Sequence, residues 1–161
     1  MPQLIDTHAH LFSDKFSDDR EDMLSRADEV CSHIFLPNID IDTIDSMNAL
    51  ADQYPELCYP MIGIHPSHVG KDWQAGVQRV EQELAGDRKY YGIGETGIDL
   101  YWDKTTLPYQ QESLRRHAAI ARETGLPLIL HARNAFDEVF EIVEEYQNGE
   151  LKGIFHCFTE N

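Results

Sequence analysis

Leu4-Ile5-Asp6-Thr7-His8-Ala9-His10 opens the chain with a short apolar run that passes straight into two histidines one residue apart. Leu128-Ile129-Leu130-His131-Ala132-Arg133 and Gly153-Ile154-Phe155-His156-Cys157-Phe158 have the same form, a β-type run ending on a histidine. Three further runs, at 34–37, 59–64 and 90–94, stand between them. The runs recur at intervals of about 30 residues, the size of a strand-plus-helix unit.

The stretches between the runs carry helical spacing. Trp73, Val77, Val80 and Leu84 fall on one face of a helix. Phe136, Val139, Phe140 and Val143 do the same, with Asp137, Glu138, Glu141 and Glu144 mostly around the other side. Pro108 suits the first turn of a helix through Leu114, Ala118 and Ala121, which Gly125-Leu126-Pro127 then stops. Strands alternating with helices predict a mostly parallel α/β sheet covered by helices, either an open doubly wound sheet or a (β/α)₈ TIM barrel. A barrel takes about 250 residues. At 161 residues this chain reads as an incomplete barrel of about six β/α units, ending after its sixth strand.

Composition narrows the classes of function. Hydrophobic residues make up 42% and charged residues 26%, the balance of a globular chain expected to form one domain over 1–161. No apolar run approaches the ~18 residues of a membrane span. The N-terminal residues lack the basic and apolar regions of a signal peptide, so a cytoplasmic protein with no membrane partner is expected. Cys31, Cys58 and Cys157 form no CxxC pair and are an odd count, which excludes a disulfide framework and a zinc ribbon. Cys31 and Cys58 read as packing residues. Thirteen basic against 29 acidic side chains give a net charge of −16. That repels nucleic acid at long range and excludes a general DNA-coating protein. It leaves room for an enzyme whose site is locally positive, because bound ions invert the local field.

Five of the eight histidines, His8, His10, His65, His131 and His156, stand at or just beyond an expected strand's carboxyl end. Ligands and catalytic groups gather at that edge in parallel α/β folds. A lone histidine is more often structural; five on one rim favour metal ligation. A period of two sends His8 and His10 to the same side, where they can grip one divalent ion. In Tyr91-Gly92-Ile93-Gly94-Glu95-Thr96-Gly97-Ile98-Asp99-Leu100-Tyr101, glycines bracket Glu95 at the expected strand exit. A carboxylate there can bridge two ions. Asp99 reads as a group that orients a ligand or water from behind. Arg133 is suited to hold an anionic substrate group bidentately, with an ordinary surface ion pair as the competing reading. Gly63-Ile64-His65-Pro66 ends the expected third strand and can set His65 facing a substrate. His33, His68 and His117 lie off the strand ends and read as solvated or packing residues.

This ordered set, Asp-Thr-His-Ala-His, Gly-Ile-His-Pro, Gly-Glu-Thr-Gly-Ile-Asp-Leu-Tyr, Leu-His-Ala-Arg and Phe-His-Cys-Phe, resembles the TatD family of metal-dependent deoxyribonucleases. That family lies within the amidohydrolase-like superfamily of TIM barrels, and the resemblance runs the length of the chain. It implies a (β/α)₈ fold, divalent metal ions, and hydrolysis of phosphodiester bonds in DNA, commonly as an exonuclease. The family's metal ligands fall on His8, His10, Glu95, His131 and His156. One ion would lie on His8, His10 and Glu95, the other on Glu95, His131 and His156, together activating a water. The Gly-x-His-Pro histidine near the substrate falls on His65, so Glu95 and His65 are the implied catalytic residues. The choice among Mg, Zn and Mn stays open. The family continues through two more strands, the seventh carrying an Asp ligand, so the chain is expected to be C-terminally truncated and its own activity diminished. The intact protein is expected to act as a monomer on DNA or a small phosphodiester. Two alternatives stand beside this reading. One is hydrolysis of a small amide or lactone, disfavoured because cyclic amidases of the superfamily usually bridge their metals with a modified lysine where this chain has Glu95. The other is a metal-binding piece without turnover.

Overall fold

The structure is a computed structural model and describes residues 3–157. Met1 and Pro2 of the opening segment and Phe158 of the Phe-His-Cys-Phe segment lie outside the described residues. The strands are β1 (Leu4–Asp6), β2 (Cys31–Pro37), β3 (Cys58–Met61), β4 (Ile93–Asp99), β5 (Leu128–Arg133) and β6 (Gly153–His156). Between them lie α1 (Arg20–Asp28), α2 (Ile44–Gln53), α3 (Trp73–Leu84), α4 (Leu107–Thr124) and α5 (Phe136–Tyr146).

All strand pairs are parallel, in the orders β1-β2-β3 and β4-β5-β6. A bridge between Ile62 and Ile93 joins the two sets. There Ile62 N–H donates to Gly92 O at 3.0 Å and Gly94 N–H to Ile62 O at 2.7 Å. Chain order is therefore also spatial order, and every strand's carboxyl end reaches the same rim. A flat sheet of this order would hold its outermost strands about 24 Å apart, five spacings of about 4.8 Å. Yet His8, just past β1, stacks its ring on His156 of β6 with centroids 3.6 Å apart. The sheet is curled, as the wall of a (β/α)₈ barrel is, and six of that fold's β/α strands are described here.

Helix faces follow the apolar spacing with one shift. Leu114, Ala118 and Ala121 of α4 are buried, and Gly125 stops that helix in the left-handed region, with φ 71°. In α5 the buried residues are Phe136, Val139 and Ile142, while Phe140 is exposed and packs its ring toward Phe155 at 5.0 Å. Expected strands at 59–64 and 90–94 also move. β3 closes at Met61, and β4 starts at Ile93 but runs on to Asp99, buried along its whole length. The glycines that suggested an exit are in the strand because β5 leaves room for nothing else. A Cβ on Gly94 would stand 2.6 Å from Ile129 O, and one on Gly97 would overlap the His131 carbonyl. Both glycines hold positive φ, 150° and 142°, which a side chain at either place would make costly. Glu95 is thus an interior strand residue, not an exit residue. Pairing between β4 and β5 is irregular between Ile93 and Thr96, around Glu95, and a bulge of that kind re-aims a side chain.

Of the histidines off the strand ends, His33 stacks on Tyr59 with centroids 4.7 Å apart, and His68 pairs with Asp40 at 3.1 Å. His117 is completely buried on α4. Its Nδ1 donates to Ser113 O at 2.7 Å and its Nε2 accepts the Ile64 N–H at 3.3 Å, so the neutral ring is fully paired. Burial pushes its pKa down to about 4 from the ordinary 6.5. Below pH ~6.5 the unfolded chain therefore binds a proton that the folded chain refuses, and stability falls as pH drops toward 4. Native protein should lose on the order of 3 kcal/mol through this group over that window, at about 1.4 kcal/mol per unit. Urea unfolding at about pH 7 and about pH 4.5 should show a visibly flatter dependence in His117→Gln; equal slopes would remove His117 as the cause.

Candidate functional site

Four strand ends converge on one carboxylate. After β1, Asp6 Oδ1 accepts the His8 N–H at 3.0 Å, and Ala9 N–H donates to Phe35 O at 3.0 Å, so the chain keeps running beside β2. His10 Nδ1 donates to Pro37 O at 2.9 Å. That bond fixes the tautomer and leaves a lone pair on Nε2. Glu95 N–H donates to Asn38 O at 3.2 Å, which seats the glutamate at the end of β2 as well as in β4. The Glu95 side chain, 3% exposed, then divides its oxygens. Oε2 lies 3.0 Å from His8 Nε2 and 3.4 Å from His10 Nε2. Oε1 lies 3.2 Å from His131 Nδ1 and 3.8 Å from His65 Nε2.

Behind His131 stands Asp99, expected from the sequence to orient a ligand or water. It is buried, and its Oδ2 takes the His131 Nε2–H at 3.0 Å, which turns a lone pair on Nδ1 toward Glu95. Asp99 is itself clamped: its N–H donates to Gln110 Oε1 at 2.7 Å, and Gln110 Nε2 returns a bond to Asp99 O at 3.2 Å. His65 is set differently. Ser67 N–H donates to its Nδ1 at 3.1 Å, which leaves the proton of the neutral ring on Nε2, 3.1 Å from His131 Nδ1.

Among the described residues, two groups bring three donor atoms close enough to share an ion: His8, His10 and Glu95; and His65, Glu95 and His131. The first group fits a cation by its chemistry. The lone pair of His10 and the carboxylate oxygen are both acceptors, and only a positive charge between them turns that approach into attraction. In the second group His65 stands where the sequence analysis placed His156. His156 is one ring away, stacked on His8, with its Nε2 3.1 Å from Cys157 Sγ.

The electrostatics agree with a cation-binding role. Burial alone would raise the Glu95 pKa, but His10, His131 and His8 outweigh it and hold the carboxyl far below its usual range: with no ion bound, a proton on the facing ring nitrogen takes the place between nitrogen and oxygen that a cation would fill. Burial opposes protonation of His131, yet Glu95 and Asp99 together raise its pKa. His65 is pushed down to about 4 by burial, against the pull of Glu95, and is neutral at pH 7. Over the site opens a cavity of about 510 Å³, lined by His10, His65, Glu95, His131, His156 and Arg133 among others. Arg133 lies with its guanidinium over the Tyr101 ring, 3.7 Å from the centroid.

A curled parallel sheet that gathers imidazoles toward its carboxyl rim around a buried carboxylate defines the wall of a (β/α)₈ barrel with its functional groups on that side. The chain belongs to the family described as TatD related DNase, which its residues 5–161 match. It is 34% identical over 157 residues to the uncharacterized metal-dependent hydrolase YabD of Bacillus subtilis (strain 168), covering 97% of this chain and 61% of that one. It is 29% identical over 159 residues to the 3'-5' ssDNA/RNA exonuclease TatD of Yersinia pseudotuberculosis serotype O:3 (strain YPIII), covering 98% and 61%. Among solved structures, the TatD homolog YjjV of Escherichia coli K12 superposes with a TM-score of 0.85 at 28% identity, over 98% of this chain and 61% of that one. A TatD family hydrolase from Entamoeba histolytica shares the fold, with a TM-score of 0.79 at 23% identity, over 98% and 59%. The chain thus spans about three-fifths of the length of the curated relatives it matches.

Sequence reading missed the residues that hold the site from behind. Gln110 sits in the first turn of α4, and Asn38 donates from Nδ2 to Gly63 O and Asp40 O, each at 2.8 Å. Their bonds to the Asp99 and Gly63 main chain, 11 and 25 residues away, leave no pattern to read. Gln110→Ala should strand the buried Asp99 N–H and C=O, lowering stability by ~1–3 kcal/mol in urea unfolding. An unchanged midpoint would mean water replaces the clamp.

Proposed function

We propose that the intact protein is a metal-dependent nuclease that hydrolyses phosphodiester bonds at the ends of single-stranded DNA. One observation carries this reading: the buried, ionised Glu95 presents a separate oxygen to each of two imidazole sets. His8, His10 and Glu95 would hold one divalent ion, and Glu95, His131 and His156 the other. Such ions, when bound, supply Lewis-acid polarisation of the phosphate and an activated water.

The chain's own side chains do the rest. Glu95 stays ionised throughout, and its position inside a strand fixes the spacing of the two sets. Pro37 O and Asp99 keep the lone pairs of His10 and His131 aimed inward. His65 keeps its proton on Nε2 at the cavity wall, a neutral donor for a phosphate oxygen. Arg133 offers a fork to the phosphate's free oxygens. The Yersinia relative, named a 3'-5' ssDNA/RNA exonuclease, is consistent with this assignment. Among the described residues no helix is long and apolar enough to cross a membrane. A cytoplasmic, monomeric enzyme completes the proposal.

Hydrolysis of a DNA oligonucleotide should vanish on full chelation and return with Mg²⁺, Mn²⁺ or Zn²⁺. Glu95→Ala should abolish it together with most bound metal. His65→Ala should cut turnover by ~10²–10⁴-fold, as loss of a proton-handling group does, while metal content stays. Metal lost with His65 would make it a ligand in place of His156, and steady hydrolysis by a chelated sample would refute the mechanism.

A further inference from the structure

The loop after β4 carries two large aromatic side chains that the metal chemistry does not use. Tyr101 and Trp102 are 54% and 72% exposed, and their rings meet edge to face with centroids 4.8 Å apart. β4 is paired on both sides, with β5 and through the bridge at Ile62, so this exposure lies in the middle of the described sheet rather than at its margin. Arg133 joins this pair to the cavity. Its guanidinium stands 3.7 Å from the Tyr101 centroid and 5.6 Å from that of Trp102, and the same residue lines the cavity with Glu95, His65 and His131. Among the described residues that line it, Arg133 is the one lysine or arginine.

The placement is rigid. Asp99 Oδ1 accepts the Tyr101 N–H at 2.9 Å while its Oδ2 holds His131 at 3.0 Å. Leu100 N–H donates to Arg133 O at 2.9 Å. One buried carboxylate therefore orients a site imidazole and anchors the aromatic loop, which keeps platform and centre in register.

A ligand matching these features needs an anion for Arg133 and a flat ring for the exposed indole. A nucleotide supplies both, one bond series apart; a simple amide or lactone lacks the second plane. We propose that Trp102, supported by Tyr101, is a stacking site for a nucleobase whose neighbouring phosphate lies at Arg133. The proposal rests on the nuclease reading above and deepens it, because a base inside a duplex has both faces covered while an unpaired base can turn one to the indole. Single-strand preference then follows from the platform rather than from overall charge.

The test crosses a protein change with a substrate change, using the protein supplied with Mn²⁺. A short single-stranded DNA oligonucleotide is compared with a series in which one abasic residue replaces each terminal nucleotide in turn. In the native protein one abasic position should raise KM about tenfold, within the range for losing one base–aromatic stack, with little change in kcat. In Trp102→Ala that penalty should shrink to less than about twofold, and Trp102→Phe should restore it. Trp102 is exposed, so its replacement leaves the fold intact. Independently, in EDTA, the intact oligonucleotide should quench tryptophan emission of the native protein but not of Trp102→Ala. An abasic penalty of equal size in both proteins, or a quench that survives in Trp102→Ala, overturns the stacking site alone. No hydrolysis of the oligonucleotide with any of Mg²⁺, Mn²⁺ or Zn²⁺ overturns the nuclease reading, and this site's role with it.

Discussion

An ionised carboxylate buried among imidazoles is the constraint on which the rest depends. A charge taken out of water costs several kcal/mol unless groups around it answer for it. For Glu95 those groups come from β1's end, β3's end and β5, so the strand termini have to meet on one spot. That requirement is compatible with a curled parallel wall and with no flat one. It also explains why supports stand behind the imidazoles: Pro37 O at His10, Asp99 at His131, Ser67 at His65. Each fixes a proton on one ring nitrogen and thereby decides what the other nitrogen offers.

The same economy of charge shows on the outside. Arg79, Arg88, Arg115 and Arg116 are all engaged with carboxylates on or beside the helices. Exposed pairs of this type stabilise little one by one. Their effect is to spend the basic side chains locally, leaving an acidic exterior of net charge −16 around a cavity that keeps Arg133 against an aromatic ring instead. An anion approaching from a distance meets that acidic exterior first.

Much of this was legible in order and spacing. Apolar runs ending on histidine gave the alternation of strand and helix, and the period of two placed His8 and His10 together. The glycine-rich segment put Asp99 near the same rim, where its carboxylate takes the His131 Nε2–H. What failed to show was anything decided by direction rather than position. Glycine reads as a strand breaker, yet in β4 it marks where two main chains touch, so the strand continues past Gly94 to Asp99. His65 and His156 both stand at strand ends; which of them reaches Glu95 depends on side-chain torsions that spacing does not encode. On α5 the buried residues Phe136, Val139 and Ile142 advance by three, which turns the buried side away from Phe140; apolar residues stand on both sides of Val139, so spacing alone left that choice open. His117, Gln110 and Asn38 each reach a peptide group in another element, Ile64, Asp99 and Gly63, and carry no motif.

The wall beside Glu95 is built of peptide against peptide. A Cβ added to Gly63 would stand 2.5 Å from Gly94 Cα, and Gly94 and Gly97 meet Ile129 and His131 in the same manner. Cores lined by side chains can repack, trading rotamers when a neighbour grows or shrinks. Main-chain surfaces have no such slack. The floor of the cavity is therefore a fixed gauge, and any change in what the protein accepts has to be made at the rim, where loops and long side chains are free to vary.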